Sequence, residues 1–266
     1  MQSPGSFNGR KGNTMTRIAA RLGSLLLLTL MVGGPVQAGE PYALIYNGPT
    51  ADEASTRAIS DVARQLDLPI RYIADLEDLP SQLSEARVLI IGGTNDDVEP
   101  LLQQFTPALR VTLSTYLRQG GRYLGICGGA YIASLGWHEE DRFVDGLALV
   151  PAESDSYEED FEAKIHPVTW LGEVRQMYYQ AGPTFTLRAS PERVVGLAYF
   201  ADQQPAALMS SYGKGKVAVS GPHPEAPDAW RTEALRGEQM DDNIDLALQL
   251  LRDLLADQPL PPPTDS

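Results

Sequence analysis

The stretch Arg122-Tyr-Leu-Gly-Ile-Cys127-Gly-Gly-Ala-Tyr-Ile-Ala-Ser134 decides how the rest of this chain is read. Five residues suited to a buried strand run into the chain's one cysteine, and a helix begins near Gly128. Gly125 and Gly129 stand two residues to either side of Cys127. That is the spacing of a nucleophile elbow, with Cys in place of Ser. An elbow holds its nucleophile in a strained turn, where side chains two positions away would collide with it. The start of the following helix supplies positive potential that favours a thiolate. The Gly128 N–H would face a developing oxyanion. A free cysteine is often no more than a small core residue; the glycines and the strand-to-helix junction argue for the nucleophile.

Outward from the elbow, apolar strands alternate with helices. Tyr42–Asn47, Ile70–Ile73, Arg87–Ile91 and Arg122–Ile126 read as strands. Asp52–Leu66 and Thr106–Gln119 read as helices, the first capped by Asp52 and carrying Ala58, Ile59, Val62, Ala63 and Leu66 on one face. This order implies a mostly parallel sheet with helices on both faces. Past the elbow, strand-like runs follow one another: Gln176–Gln180, Val194–Phe200, Ala206–Tyr212 and Lys216–Ser220, the last two joined by the turn signal Gly213-Lys-Gly215. They predict an antiparallel extension in the C-terminal half. Asp241–Leu255 reads as a final amphipathic helix. The α/β domain is expected over residues 40–257, with a Pro-rich, disordered tail over 258–266.

A thiol nucleophile needs an imidazole, and the imidazole needs a carboxylate to fix its tautomer. The chain has three histidines. His138 lies in a charged Trp-His-Glu-Glu run and His166 in an acidic loop. His223 alone ends an apolar strand, in Val217-Ala-Val-Ser-Gly-Pro-His-Pro-Glu225, with Glu225 two residues on. Strand ends of an open α/β sheet gather at one edge, where sites form. Gly92-Gly93, after the Arg87–Ile91 strand, can present backbone N–H groups unobstructed, which makes Gly93 a second candidate oxyanion donor.

Gly92-Gly93, Gly-Ile-Cys127-Gly-Gly and His223-Pro-Glu225, in that order, resemble the class I glutamine amidotransferase superfamily. Together with Tyr178-Tyr-Gln-Ala-Gly-Pro-Thr-Phe185 and Tyr212-Gly-Lys-Gly-Lys216, they look like the N-terminal amidotransferase-like domain of biotin–protein ligases, in a stand-alone exported form. The resemblance implies a flavodoxin-like fold. It implies Cys127 as nucleophile, His223 as base and Glu225 as orienter, with Gly93 and Gly128 as oxyanion donors. Glutamine-hydrolysing members carry a His-Gln or similar pair just after the elbow; Ala130-Tyr131 stands there in this sequence, so glutamine is not implied as the substrate.

The first residues read as an address. Met15 is a plausible true start, followed by basic Arg17 and Arg21. An apolar run from Leu22 to Val32 comes next, then Val36-Gln-Ala38, the small-residue pattern of a signal-peptide cut. Residues 1–38 are thus expected to direct export to a periplasm or the exterior, with no stable membrane insertion afterwards. Cleavage there removes four basic residues and no acid, taking the formal charge from −14 to −18. Such a charge excludes a non-specific nucleic-acid binder. One cysteine excludes a disulfide framework and a Cys-rich zinc site. No cofactor or metal is expected; the acid-dense Glu153–Glu162 run reads as a solvated loop. The expected partner is a small amide or a peptide. A cysteine hydrolase cleaving an amide is the leading function. The alternatives are a binding domain that uses the fold as a scaffold and, more weakly, a thiol redox or glyoxalase-like protein.

Overall fold

The first strand, β1 (Tyr42–Tyr46), is buried along its whole length in the computed structural model, which describes residues 40–95, 97–190 and 192–260. Its side chains alternate between two cores. Tyr42, Leu44 and Tyr46 enter one, and Ala43 and Ile45 the other. A strand with both faces covered can be apolar without a break, which is why the sequence shows no polar alternation there.

The chain continues through α1 (Glu53–Gln65), β2 (Ile70–Ile73), α2 (Leu79–Leu83), β3 (Ala86–Ile91), α3 (Glu99–Gln104), α4 (Pro107–Arg118), β4 (Arg122–Ile126) and α5 (Gly128–Ala133). A strand-rich half follows: β5 (Gly136–Glu139), β6 (Arg142–Asp145), β7 (Ala152–Ser156), β8 (Lys164–Trp170), β9 (Glu173–Tyr179), β10 (Pro183–Leu187), β11 (Val194–Phe200), β12 (Pro205–Tyr212) and β13 (Gly215–Ser220). Helix α6 (Ile244–Leu255) comes last among the described elements.

Nine strands form one sheet in the order β2-β1-β3-β4-β13-β12-β11-β8-β9. The first five are parallel and the rest antiparallel. The parallel part has the flavodoxin-like order, with its switch point between β1 and β3. This is the expected α/β fold with its antiparallel extension. Ile59, Val62 and Ala63 of α1 and Leu246, Leu250, Leu251 and Leu254 of α6 cover one face; Leu109, Leu113 and Leu117 of α4 cover the other. The C-terminal end of α6 is held by two buried cations. Arg122 Nε donates to Leu254 O at 2.8 Å, and Lys216 Nζ to Ala256 O at 2.8 Å. Cations there satisfy carbonyls that lack intrahelical partners and suit the helix dipole.

Three expectations shift. Helix α6 starts at Ile244 rather than Asp241, because Asp241 is tied to β9: its Oδ2 accepts Gln176 N at 2.7 Å. The acid-dense run is a solvated loop only in part, since its first residues form β7, paired with β10. The tail is not wholly loose: Leu260 packs into the α1/α6 core, and its carbonyl accepts from Arg193 at 3.1 Å. Residues 261–266, the signal-peptide segment 1–38 and Met15 lie outside the described residues. No helix among the described residues is long and apolar enough to cross a membrane.

Candidate active site

Cys127 sits between β4 and α5 with φ 51° and ψ −110°. For a residue with a Cβ this backbone is strained, at a cost of about 1–3 kcal/mol. The turn is pinned by Cys127 N donating to Ser220 O of β13 at 2.8 Å and by Gly129 N donating to Gly92 O at 3.0 Å. The flanking glycines are required by backbone rather than by the thiol. A Cβ on Gly125 would lie 2.4 Å from Gly129 O, and one on Gly129 would lie 1.9 Å from Ile91 O. The spacing expected of an elbow is present, but its cause is the close approach of α5 to β3 and β4.

His223 follows β13 and is buried, as is Glu225. His223 Nδ1 and Glu225 Oε1 are 2.9 Å apart, which places the Nδ1 proton toward the carboxylate. The His223 backbone N–H donates to Tyr178 O at 2.9 Å, and the rings of Tyr178 and Trp230 meet the imidazole edge-on. Burial by itself lowers the imidazole pKa. The Glu225 carboxylate and a hydrogen bond with Cys127 outweigh it and push the pKa up to about 10. The direction of this shift favours the imidazolium form of His223. In this structure the thiol donates to Gln180 O at 3.5 Å; a thiol–imidazole contact commonly tightens only when substrate binds.

Ser55, not singled out by sequence, completes this layer. It is buried on α1, accepts from Gly93 N at 2.8 Å and donates to Glu225 Oε1 at 3.3 Å. It thus ties the Gly92-Gly93 loop to the His223–Glu225 pair. The sequence held one signal: Ser55 shares a helix face with Ile59 and Val62, a polar residue in an apolar stripe.

The expected oxyanion donors divide. The Gly128 N–H has no acceptor among the described residues. The Gly93 N–H is committed to Ser55, so its expected role does not fit this arrangement. Thr94 is the better second donor. Its hydroxyl lies where a Gly128 Cβ would stand, 2.1 Å from that point, and its own N–H has no acceptor among the described residues.

Cys127 and His223 open on one cavity of about 720 Å³ at the C-terminal ends of the parallel strands. Gln180 and Ala181, from the loop between β9 and β10, form part of its wall, and the Gln180 carbonyl reaches the thiol. His138 also lines the cavity, but on its far rim and exposed; His166 lies elsewhere, 3.1 Å from Glu158. No cluster of three or more metal-ligating side chains occurs among the described residues.

Residues 42–141 match the family model described as biotin-protein ligase, N terminal. The match takes in Gly93, Thr94, Cys127 and Gly128 and stops before His223. Solved structures extend the likeness over the rest of the fold. One is a glutamine amidotransferase, 16% identical, covering 78% of this chain and 97% of its own, with a TM-score of 0.54. The chain has the fold of a glutamine amidotransferase, and its residues 42–141 are similar to the N-terminal part of biotin–protein ligases. A glutamine amidotransferase from Thermotoga maritima covers 81% of this chain and 96% of its own, at 15% identity and TM-score 0.51. A cytoplasmic protein from Salmonella typhimurium LT2 covers 80% and 99%, at 13% and 0.54. Identities this low establish a shared fold alone. Comparison with curated proteins finds no match.

Proposed function

We propose that this amidotransferase-like protein is an exported cysteine hydrolase that cleaves an amide bond. The observation that carries the reading is the strained Cys127 at the head of α5, sharing one cavity with an imidazole held by a buried carboxylate. Export rests on the signal-peptide pattern of residues 1–38.

In the proposed sequence the thiolate of Cys127 adds to the amide carbonyl. The oxygen gathers negative charge opposite the Gly128 N–H and Thr94. His223 Nε2 gives its proton to the leaving nitrogen as the C–N bond breaks, which leaves a thioester on Cys127 and neutral imidazole. The imidazole then takes a proton from water, whose oxygen adds to the thioester; acid leaves, and thiolate and imidazolium are restored. Glu225 keeps the Nδ1 proton in place throughout, and Ser55 keeps Glu225 in place.

The test is ammonia or amine release from a panel of amides by purified protein and by Cys127→Ala. Release by the wild type that disappears in the variant supports the reading; release that persists in the variant refutes it. An amide panel left untouched by protein whose Cys127 is as unreactive as a free thiol would favour a ligand-binding domain instead.

A further inference from the structure

The cavity that holds Cys127 is lined by carboxylates from four separate segments. Asp52 precedes α1, Asp97 follows β3, Glu139 ends β5 and Asp155 belongs to β7. No lysine or arginine is among the lining residues. Glu139 has a cation nearby, Arg142 at 3.7 Å, and shares a hydrogen bond with Glu99 that pushes its own pKa up. The other three carboxylates have backbone partners only. Asp52 accepts from Ser55 N, Asp97 from Glu99 N and Asp155 from Ser156 N. None of the three forms an ion pair among the described residues. Part of the remaining wall is aromatic, with Trp137, Phe161, Tyr178 and Trp230. Carboxylates on all sides set up a negative potential that a concave, low-dielectric wall focuses inward. Aromatic faces add to the attraction for a cation. An anionic group entering this space would meet repulsion and find no lysine or arginine to pair with; His223, when protonated, is already held by Glu225.

We infer that this cavity selects ligands that carry positive charge, so that the substrate of the proposed hydrolase is a cationic amide. The substrate part of this inference rests on that hydrolase reading; the charge selection does not. A free amino acid amide such as glutamine brings a carboxylate along with its ammonium, and the lining offers that carboxylate no lysine or arginine. An amide whose acyl or amine part ends in an ammonium or guanidinium meets carboxylates on whichever wall it faces.

Two measurements on the purified protein test this. In the first, Cys127 is modified by 2-aminoethyl or 2-sulfonatoethyl methanethiosulfonate; each forms a mixed disulfide and releases methanesulfinate, so no turnover is needed. The rate ratio of the cationic to the anionic reagent is expected to exceed that on free cysteine by about tenfold or more. It should shrink toward the free-cysteine ratio in 1 M salt and in the doubly neutralised Asp97→Asn/Asp155→Asn variant. In the second, kcat/KM for ammonia release is compared among 5-aminopentanamide, pentanamide and glutaramate, which differ chiefly in the charge at the far end. The expected order is cation, neutral, anion. A reagent ratio equal to or below that of free cysteine, or a preference for glutaramate, overturns the inference. An intact reagent ratio with no ammonia from any of the three overturns the hydrolase reading and leaves the positively charged ligand class standing.

Discussion

The parallel and antiparallel halves of the sheet contribute to the cavity in different ways. The parallel half places reactive groups at strand ends: Thr94 after β3, Cys127 after β4 and His223 after β13. Each is fixed by backbone contacts to a neighbouring strand or loop, such as Cys127 N to Ser220 O. The antiparallel half and its satellite strands place walls instead: Asp155 of β7, Tyr178 of β9 and the Gln180-Ala181 turn. The two halves meet at β13, which pairs in parallel with β4 and antiparallel with β12. His223 follows β13 directly and is also held through its backbone by Tyr178 of the wall half. The comparison teaches that the groups proposed for the chemistry stand on the strand ends of the parallel half, whereas the walls that would set selectivity draw on both halves, Asp52 and Asp97 from one and Asp155 and Tyr178 from the other.

If that division is right, changes in the parallel half should alter rate or folding. Neutralising a wall carboxylate, in either half, should alter preference instead. The largest expected effect is Cys127→Ala, which should lower amide hydrolysis by about 10³-fold or more while the protein stays folded. Next is Gly129→Ala, whose Cβ would enter the carbonyl of Ile91; denaturant unfolding should show a loss of about 3 kcal/mol. Ser55→Ala strands the buried Gly93 N–H and releases Glu225. It should cost about 1–3 kcal/mol of stability and reduce kcat with little change in KM. Ser55→Thr, which keeps the hydroxyl, should recover most of the rate; equal defects in both variants would reduce Ser55 to a packing residue. Smallest is Cys127→Gly, which removes the positive-φ strain and should raise unfolding stability by about 1 kcal/mol although the thiol is gone.

The same division explains what could be read from the sequence. Strands β1, β3, β4 and β13 are buried on both faces, so each is a continuous apolar run that any reading finds. The elbow was legible because backbone approach allows only glycine at 125 and 129. His223 and Glu225 were legible because they end such a strand. The walls were not. Strand β7, Ala152-Glu-Ser-Asp-Ser156, is short, acidic and half-exposed, and nothing in its composition separates it from a loop. The β5–β6 hairpin that carries Trp137 and Glu139 is equally short and charged. Thr94 went unnoticed because its importance lies in touching Gly128, a contact across two strand ends that no local pattern encodes.

Stability should carry a signature of the imidazolium. The pKa of His223 is raised from its usual 6.5 to about 10, so the folded state holds the proton more tightly than the unfolded chain. The stabilisation is complete below about pH 6.5 and is lost as pH climbs through about 10. Wild-type unfolding free energy should therefore fall relative to His223→Gln across that window. A difference that is flat with pH would mean that His223 is neutral in the fold.

The most direct test of the central claim is the rate of Cys127 alkylation by iodoacetamide, a neutral reagent, followed from pH 5 to pH 9 in wild type and in His223→Gln. The account predicts fast alkylation that persists well below pH 8 in the wild type, and its loss at low pH when His223 is replaced. A wild-type rate that climbs about tenfold per pH unit up to the range of a free thiol, near 8.5, and is indifferent to His223, would contradict it.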